Sequence, residues 1–508
     1  MRDGHDGRVR GVWTVEQVRA AEREVMARVP DGTLMRRAAY GLAVHVAGLL
    51  AERTSGVVGR RAALLVGAGD NGGDALWAGA FLRRRGVAVT AVLLSPERAH
   101  PAGLAALRRR GGRTVSASDL DGALRELGRA DVVVDGIVGL SGRGPLRPAA
   151  ASLVGAVTAP IVAVDLPSGV DPDTGAVDGP AVVDGPGSVD RLAVTAALTV
   201  TFGALKPVHV LAPHRCGPVR LVDIGIGDAL PAPTVHVLDD ADVGALWPVP
   251  GPDDDKYTQG VVGIAAGSAT YPGAAVLTSG AAVHATSGLV RYAGTAADQV
   301  RARWPELVAT GSVSDAGRVQ AWVVGPGLGT GSDGRRAVRH ALAAGVPLCV
   351  DADAITLLAT DPTLWDAREP GVPVVITPHD REFARIAGDV GPDRVAAARA
   401  AAARLGVTVL LKGHATVVAD PDGAVLVHPS PSSWPATAGS GDVLAGLVGA
   451  LLAAGIAPLV AAGAAVHVHG RAAVLAAVGP GGAAPIGASA LLAAVPDAIR
   501  AVRAATVS

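Results

Sequence analysis

The sequence predicts two α/β domains in tandem, each a three-layer α/β/α sandwich around a mostly parallel sheet. Three observations carry this expectation. Short β-branched apolar runs alternate with longer helical patterns, the order of strand–helix–strand units. The alternation stops in a Pro-rich, acidic stretch near residues 226–256 and then restarts, as at a domain connector. Hydrophobic residues make up 49% of the 508 residues and aromatics only 3%, so the apolar mass is Ala, Val and Leu, which suits helices layered on buried parallel strands. The expected division is residues 1–228, a linker at 229–252, and residues 253–508.

Two helices open the first half. Thr14-Val-Glu-Gln17 has the spacing of a capping box, in which a hydroxyl and an amide satisfy the free N–H groups of a helix start, and a second helix follows over about Leu34–Glu52. Buried strands are then expected at Ala62–Val66, Val87–Leu94, Asp131–Asp135, Ile161–Asp165 and Leu198–Phe202, all continuous apolar runs. The second half repeats the pattern at Val261–Ala265, Ala321–Val324, Pro347–Val350, Val374–Ile376 and Val407–Leu411. Val443–Gly470 holds no Asp, Glu, Lys or Arg and is long enough for a membrane span. Its glycines, Pro458, His467 and His469 favour a buried helix pair. His467 and His469, two apart on one helix, face different ways and are expected to pack rather than ligate metal.

The formal net charge of −1 offers no field for nucleic acid or an anionic membrane. The basic runs Arg83–Arg85 and Arg108–Arg110 fall at helix ends, where cations favour the dipole. Cys216 and Cys349 stand far apart without metal-ligand spacing, which fits a reducing cytoplasm. The polar N-terminus, MRDGHDGRVR, is unlike a secretory signal.

Chemistry concentrates in glycine-and-carboxylate clusters. In TAGSGDVLAG at 437–446, small residues let backbone N–H groups converge at a helix start while Asp442 stands inside the cradle, an arrangement for phosphoryl transfer to a hydroxyl. The first half carries GAGDNGGDA at 67–75, Asp135 before the glycine-rich loop Gly139–Pro145, and Asp165 with Ser168 in VDLPSGVD, all at expected strand ends, where open sheets place ligands. Asn71, Asp135 and Ser168 offer hard oxygens suited to an alkali or alkaline-earth cation. Each cluster alone would read as helix caps and turns.

Through Asp70-Asn71-Gly72-Gly73-Asp74, Asp135, Gly139–Pro145, Asp165–Gly169 and Thr201–Pro207, residues 10–228 resemble the NAD(P)H-hydrate epimerases, with Asp70 and Ala75 where that family commonly has Asn and Gly. The resemblance implies a Rossmann-like domain with Asp165 catalytic, and potassium on Asn71, Asp135 and Ser168. It implies substrate contacts from Asp70, Asn71, Gly72, Gly73, Asp74, Gly139, Leu140, Ser141, Gly142, Arg143, Gly144, Pro145 and Asp165. Lys256-Tyr257, Gly267-Ser268, Tyr271–Ala274, Gly325–Gly329, Asp351–Ala354, Thr377–His379 with Glu382, Lys412–Thr416 and Ala438–Asp442 make residues 253–500 similar to the ribokinase-like NAD(P)H-hydrate dehydratases, except at Asp380-Arg381, where Pro-Gly is common.

That second resemblance implies Asp442 as base, and Ala274, Gly327, His379 and Asp442 at the hydrated substrate. Lys412, Gly413, His414, Ala415, Thr416 and Gly441 would bind nucleotide, with Glu382 ordering magnesium through water. Together the halves imply a cytoplasmic repair enzyme for NADHX and NADPHX, using ADP with release of AMP, and potassium and magnesium, as a homo-oligomer. A small-alcohol kinase with a non-catalytic nucleotide-binding first half stays open as the alternative.

Overall fold

The computed structural model describes residues 10–140, 142–179, 192–286 and 288–506. Contacts divide the chain into one unit of Gly11–Pro233 and another built chiefly of Thr234–Ser508.

A short strand β1 (Arg10–Val12) precedes the helix Val15–Met26, which starts in the expected capping box of Thr14 and Gln17. The first unit's sheet comprises β2 (Arg61–Val66), β3 (Ala88–Leu93), β4 (Arg113–Ser116), β5 (Val132–Gly136), β6 (Ile161–Val164), β7 (Leu198–Phe202) and β8 (Val219–Val222). It runs in the order β4-β3-β2-β5-β6-β7-β8 with every pair parallel. Counted from its own first strand this is 3-2-1-4-5-6-7, the doubly wound order whose reversal opens a crevice at strand carboxyl ends. The reversal lies between β2 and β5. Strand residues alternate between two cores. Leu64, Val134 and Val162 join Leu42, Leu50 and Leu76 on one side, whereas Leu65, Val133 and Ala163 join Leu127 and Leu153 on the other. Three layers follow from that alternation.

The second unit carries β9 (Val235–Val237), β10 (Val261–Ala265), β11 (Leu289–Ala293), β12 (Val308–Thr310), β13 (Ala321–Val324), β14 (Leu348–Val350), β15 (Val374–Ile376), β16 (Thr408–Leu411), β17 (Ala415–Ala419) and β18 (Val425–Pro429). They run in the order β9-β18-β17-β16-β15-β14-β13-β10-β11-β12. Only the β16–β17 and β17–β18 pairs are antiparallel. Here the order reverses between β10 and β13.

The stretch expected as a linker is structured. Its acidic run is a helix start, with Asp239 and Asp242 forming a capping box for the helix Asp240–Leu246. Val243 and Trp247 are buried, and the Trp247 indole donates to the Ala285 carbonyl at 2.9 Å. Pro and Asp mark caps as readily as connectors, and the sequence could not tell these apart. The apolar stretch after Asp442 forms the helices Ser440–Ala453 and Pro458–Ala477. The second is long and apolar enough to cross a membrane by length and composition, but 61% of its apolar window is buried inside the protein.

Glycines set how closely these helices approach. A Cβ on Gly446 would stand 2.3 Å from the Thr278 carbonyl oxygen, and one on Gly449 would stand 2.0 Å from Val323 Cγ2. Gly449→Ala is therefore expected to destabilise the protein by about 1–3 kcal/mol, the usual cost of overpacking a core. Urea denaturation reads this, and an unchanged midpoint would mean that the helix can slide off β13.

Candidate functional site

In the first unit the helix Asp70–Arg84 begins directly after β2, with Gly69 at φ 93°. Its first turn, the Gly139–Pro145 loop and Asp165 wall a cavity of about 730 Å³. Asp70, Asn71, Asp74, Gly139, Leu140, Gly142, Arg143, Gly144, Pro145 and Asp165 all line it. Gly72 and Gly73 do not. They let the helix sit close, since a Cβ on Gly72 would be 2.4 Å from the Gly67 carbonyl oxygen and one on Gly73 would be 2.9 Å from His100. Ser141 lies outside the described residues. Asp70 is exposed in the first helical turn, where a carboxylate favours the dipole. Ala75 is accommodated because it packs against Gly136, whose added Cβ would come within 2.6 Å of it.

Asp135, Ser168 and Asn71 converge beneath the wall. The Ser168 hydroxyl donates to Asp135 Oδ1 at 2.7 Å, and the backbone N–H groups of Ser168 and Ile137 donate to Oδ2 and Oδ1 at 2.9 and 3.2 Å. Val138 joins the three. Its N–H donates to Ser168 Oγ at 3.0 Å, and its carbonyl accepts from Asn71 Nδ2 at 3.1 Å. Burial pushes the Asp135 carboxyl up to about 6, with the Ser168 hydrogen bonds pulling the other way. The set is oxygen-rich and carries one carboxylate, which suits a monovalent cation better than zinc. Among the described residues no group of three or more His, Cys, Asp or Glu could hold a metal ion.

Asp165 occupies the left-handed region at φ 66°, a strained conformation for a residue with a Cβ and one that collects at functional positions. Its Oδ1 accepts from Lys206 Nζ at 2.6 Å and Thr201 Oγ1 at 2.8 Å. Burial opposes the charge on Asp165, but Lys206, with smaller help from His209 and Thr201, holds the carboxyl below its usual value. His209 Nδ1 accepts from the Lys206 N–H, so its Nε2 carries the proton given to the Asp165 carbonyl at 2.8 Å. Burial and Lys206 push His209 down to about 4, leaving it neutral. The opposite happens at Asp74. Its buried Oδ1 has no hydrogen-bond partner, and burial with the charges of Asp165, Asp70 and Glu22 pushes its carboxyl well up.

In the second unit the helix Ser440–Ala453 starts at Gly439, φ 83°, with no side chain capping it. The Ser440 N–H donates to the Thr437 carbonyl at 3.3 Å, and Gly441 in the first turn lies beside the end of β16. A Cβ on Gly441 would lie 3.5 Å from Lys412 Nζ and 3.8 Å from Asp351 Oδ2. Lys412 Nζ donates to Asp351 Oδ1 at 2.8 Å, and Thr377 Oγ1 donates to the same atom at 2.7 Å. Asp442 is pushed up to about 7 by burial and by Asp351, with Lys412 pulling down. Asp353 caps Gly329 N at 2.8 Å. Ala274 and Gly327 (φ 59°) meet, since a Cβ on Gly327 would stand 2.8 Å from that of Ala274. His379 caps the helix Asp380–Ala387 through Nδ1, and Glu382 accepts the His379 N–H at 2.9 Å while lying 3.8 Å from Lys412 Nζ. Thr416 Oγ1 donates to the Gly413 carbonyl at 3.2 Å. Gly413 and His414 are exposed.

Lys206 and Asp351 were read from the sequence only as parts of motifs, with no role assigned, and Glu22, which also belongs to these centres, was not singled out. A signal existed. Of 45 basic residues only Lys206, Lys256 and Lys412 are lysines, and two of the three hold a strand-end aspartate.

The fold and sites define a fused α/β enzyme with two nucleotide-scale centres. One has a cavity lined with carboxylates, and the other a glycine-flanked helix start beside the raised carboxyl of Asp442. Residues 262–487 match the family model for NAD(P)H-hydrate dehydratase, and residues 31–208 match that of the YjeF-related protein N-terminus. The chain is 54% identical over 499 residues to the bifunctional NAD(P)H-hydrate repair enzyme of Mycobacterium leprae (strain TN), covering 97% of this chain and 100% of that protein. It is 56% identical over 452 residues to the enzyme of that name from Mycobacterium tuberculosis (strain ATCC 25618 / H37Rv), covering 88% and 90%. A solved ADP/ATP-dependent NAD(P)H-hydrate dehydratase from Bacillus subtilis, co-crystallized with ATP/Mg2+, is 28% identical with a TM-score of 0.48, over 53% of this chain and 100% of that one. The chain belongs to the family of bifunctional NAD(P)H-hydrate repair enzymes.

Removing one partner of a buried ion pair strands the other. Lys206→Met is expected to cost about 3–5 kcal/mol, and adding Asp165→Asn should return part of it. A urea-denaturation double-mutant cycle measures the coupling, and additive effects would show that the pair does not act as a unit.

Proposed function

We propose that the protein repairs hydrated NADH and NADPH, interconverting the R and S hydrates in its first unit and dehydrating the S form in its second. The carrying observation is the pairing, in one chain of this family, of the Asp165 cavity with the Asp442 cradle. The names of the relatives favour this reading over a small-alcohol kinase.

Hydroxide is a poor leaving group, so dehydration proceeds through phosphorylation of the hydroxyl at C6 of the nicotinamide ring. Asp442 takes the hydroxyl proton, and N–H groups at Gly439–Gly441 stabilise charge on the transferred phosphoryl group. Phosphate then leaves, driven by the ring nitrogen, and loss of a proton from C5 to water re-forms the C5–C6 double bond of the reduced nicotinamide. ADP is the proposed donor, giving AMP, with Lys412–Thr416 holding it and Ala274, Gly327 and His379 at the substrate. Magnesium would neutralise donor phosphates. Glu382 already faces Lys412 and the His379 N–H, so only its remaining lone pairs could reach a metal-bound water, and no step is assigned through it.

In the first unit Asp165 is proposed to act on the substrate, with Asn71, Asp135, Ser168 and the Val138 carbonyl as the set that would hold potassium. Bound there, the cation would offset the carboxylates facing an anionic nucleotide. The two buried, unpaired cysteines support the proposal of a reducing cytoplasm.

Incubating the full chain with mixed hydrate epimers and ADP, ATP or neither, while following reduced-nicotinamide absorbance, tests the reading. With ADP both epimers should be consumed, and no nucleotide-dependent recovery would refute it. Asp442→Asn should lower dehydration by about 100-fold or more, within the range of acid–base catalysis, and leave nucleotide binding intact. Because the base must be unprotonated and its pKa is raised to about 7, kcat/KM for dehydration should climb with pH and level off above 7. A flat profile between pH 5.5 and 8.5 would assign the proton to another group. Asp135→Ala should weaken epimerisation and its potassium dependence while the S hydrate is dehydrated normally; loss of both activities in a folded protein would refute independent centres.

A further inference from the structure

His469 lies on the helix Pro458–Ala477, one helix away from the phosphoryl cradle, and is 7% exposed. Its Nε2 is 2.9 Å from Ser440 Oγ and 3.0 Å from the Ser440 carbonyl oxygen. Ser440 is the first residue of the cradle helix and is itself buried. A carbonyl oxygen can only accept, so Nε2 carries the proton and His469 donates to Ser440. Burial pushes the imidazole down to about 4, and Lys412 adds to the push, so the donor is neutral near neutral pH.

The need for such a contact is visible in the helix start. Gly439 and Gly441 flank Ser440, Gly439 holds a left-handed φ of 83°, and no side chain caps the turn. Glycine pairs keep the approach open for a ligand but leave the backbone free to move. Of residues 439–441, only Ser440 has a side chain that a neighbouring element can grip. His467, two residues earlier, is turned to Asp240 at 2.7 Å, and Arg471 meets the same carboxylate at 2.7 Å, which pins the helix that carries His469.

We propose that His469 is a positioning residue for dehydration. Its hydrogen bonds to Ser440 fix the Gly439–Asp442 turn, so that the amide donors and the Asp442 carboxylate are aimed together at the transferred phosphoryl group. The inference rests on the proposed dehydration, and the unsubstituted chain tests that separately: if it shows no nucleotide-dependent dehydration, the function fails whatever His469 does.

The experiment uses the full chain with His469→Leu, His469→Gln and Ser440→Ala, measuring ADP-dependent dehydration of S hydrate and, in the same samples, epimerisation. His469→Leu should lower kcat by about tenfold or more, the scale of one positioning bond near 1.4 kcal/mol. KM for ADP should stay within about threefold, because Lys412–Thr416 hold the donor, and epimerisation should be unchanged. His469→Gln, which keeps an N–H donor, should recover part of kcat. Unchanged kcat in His469→Leu overturns the proposal, as does an equal loss in His469→Leu and His469→Gln. If His469→Leu fails to fold, Ser440→Ala decides: a fall in kcat at steady KM supports the role, and full activity overturns it.

Discussion

An aspartate at the end of a parallel strand, paired with a lysine brought from a later strand end, is the constraint on which both centres depend. The two units arrive at the same arrangement. In one, Asp165 Oδ1 receives Lys206 Nζ at 2.6 Å and Thr201 Oγ1 at 2.8 Å. In the other, Asp351 Oδ1 receives Lys412 Nζ at 2.8 Å and Thr377 Oγ1 at 2.7 Å. Both aspartates are buried, and a buried carboxylate survives only when its charge is paired and its lone pairs are used. A left-handed non-glycine residue sits at each pair, Asp165 at φ 66° and Ala352 at φ 50°. A chain that otherwise relies on arginine keeps lysine at these two positions. An ammonium on a flexible stem can enter a tight site as a point charge where a planar guanidinium would need more space.

A fixed anion also shapes its neighbours. Once Asp165 is locked ionised, nearby Asp74, buried with one oxygen unpartnered, is driven toward its neutral form. Asp351 has the same effect on Asp442, adding to burial and lifting it to about 7. Carboxylates whose environments push them apart are the usual means by which one site supplies both an ionised group and a proton carrier at neutral pH.

The sequence made most interior strands legible, though not Leu289–Ala293, and left the sheet margins obscure. Leu198–Phe202, Val261–Ala265, Ala321–Val324 and Val374–Ile376 are strands at the expected bounds, because a strand covered on both faces reads as an unbroken apolar run. Arg113–Ser116, Val219–Val222 and Val308–Thr310 escaped notice. They are sheet edges, short and half exposed, and carry no such run. The antiparallel extension Ala415–Ala419 and Val425–Pro429 was also missed, since the nucleotide motif it overlaps drew the reading instead. Glycine-and-carboxylate clusters announced the strand-end clusters of the candidate sites, because local backbone geometry is written locally. What holds those carboxylates was not legible: Lys206 and Lys412 reach partners 41 and 61 residues away, and only the sheet order brings them together.

That tethering also bears on Asp442, the carboxylate proposed as the base. Lys412 stands at the cradle, 3.5 Å from where a Gly441 Cβ would be, close enough to meet donor phosphates. An ammonium free to pair with Asp442 would pull its carboxyl down and leave a weak base. Asp351 takes that ammonium instead, with Glu382 at 3.8 Å as a second anchor. The geometry of Lys412 is thereby committed to Asp351 and Glu382 while its charge stays beside the helix start. Asp442 feels Asp351 more than Lys412, so the pairing that stabilises the strand end also leaves the Asp442 carboxyl poised near neutral pH, as the proposed base requires.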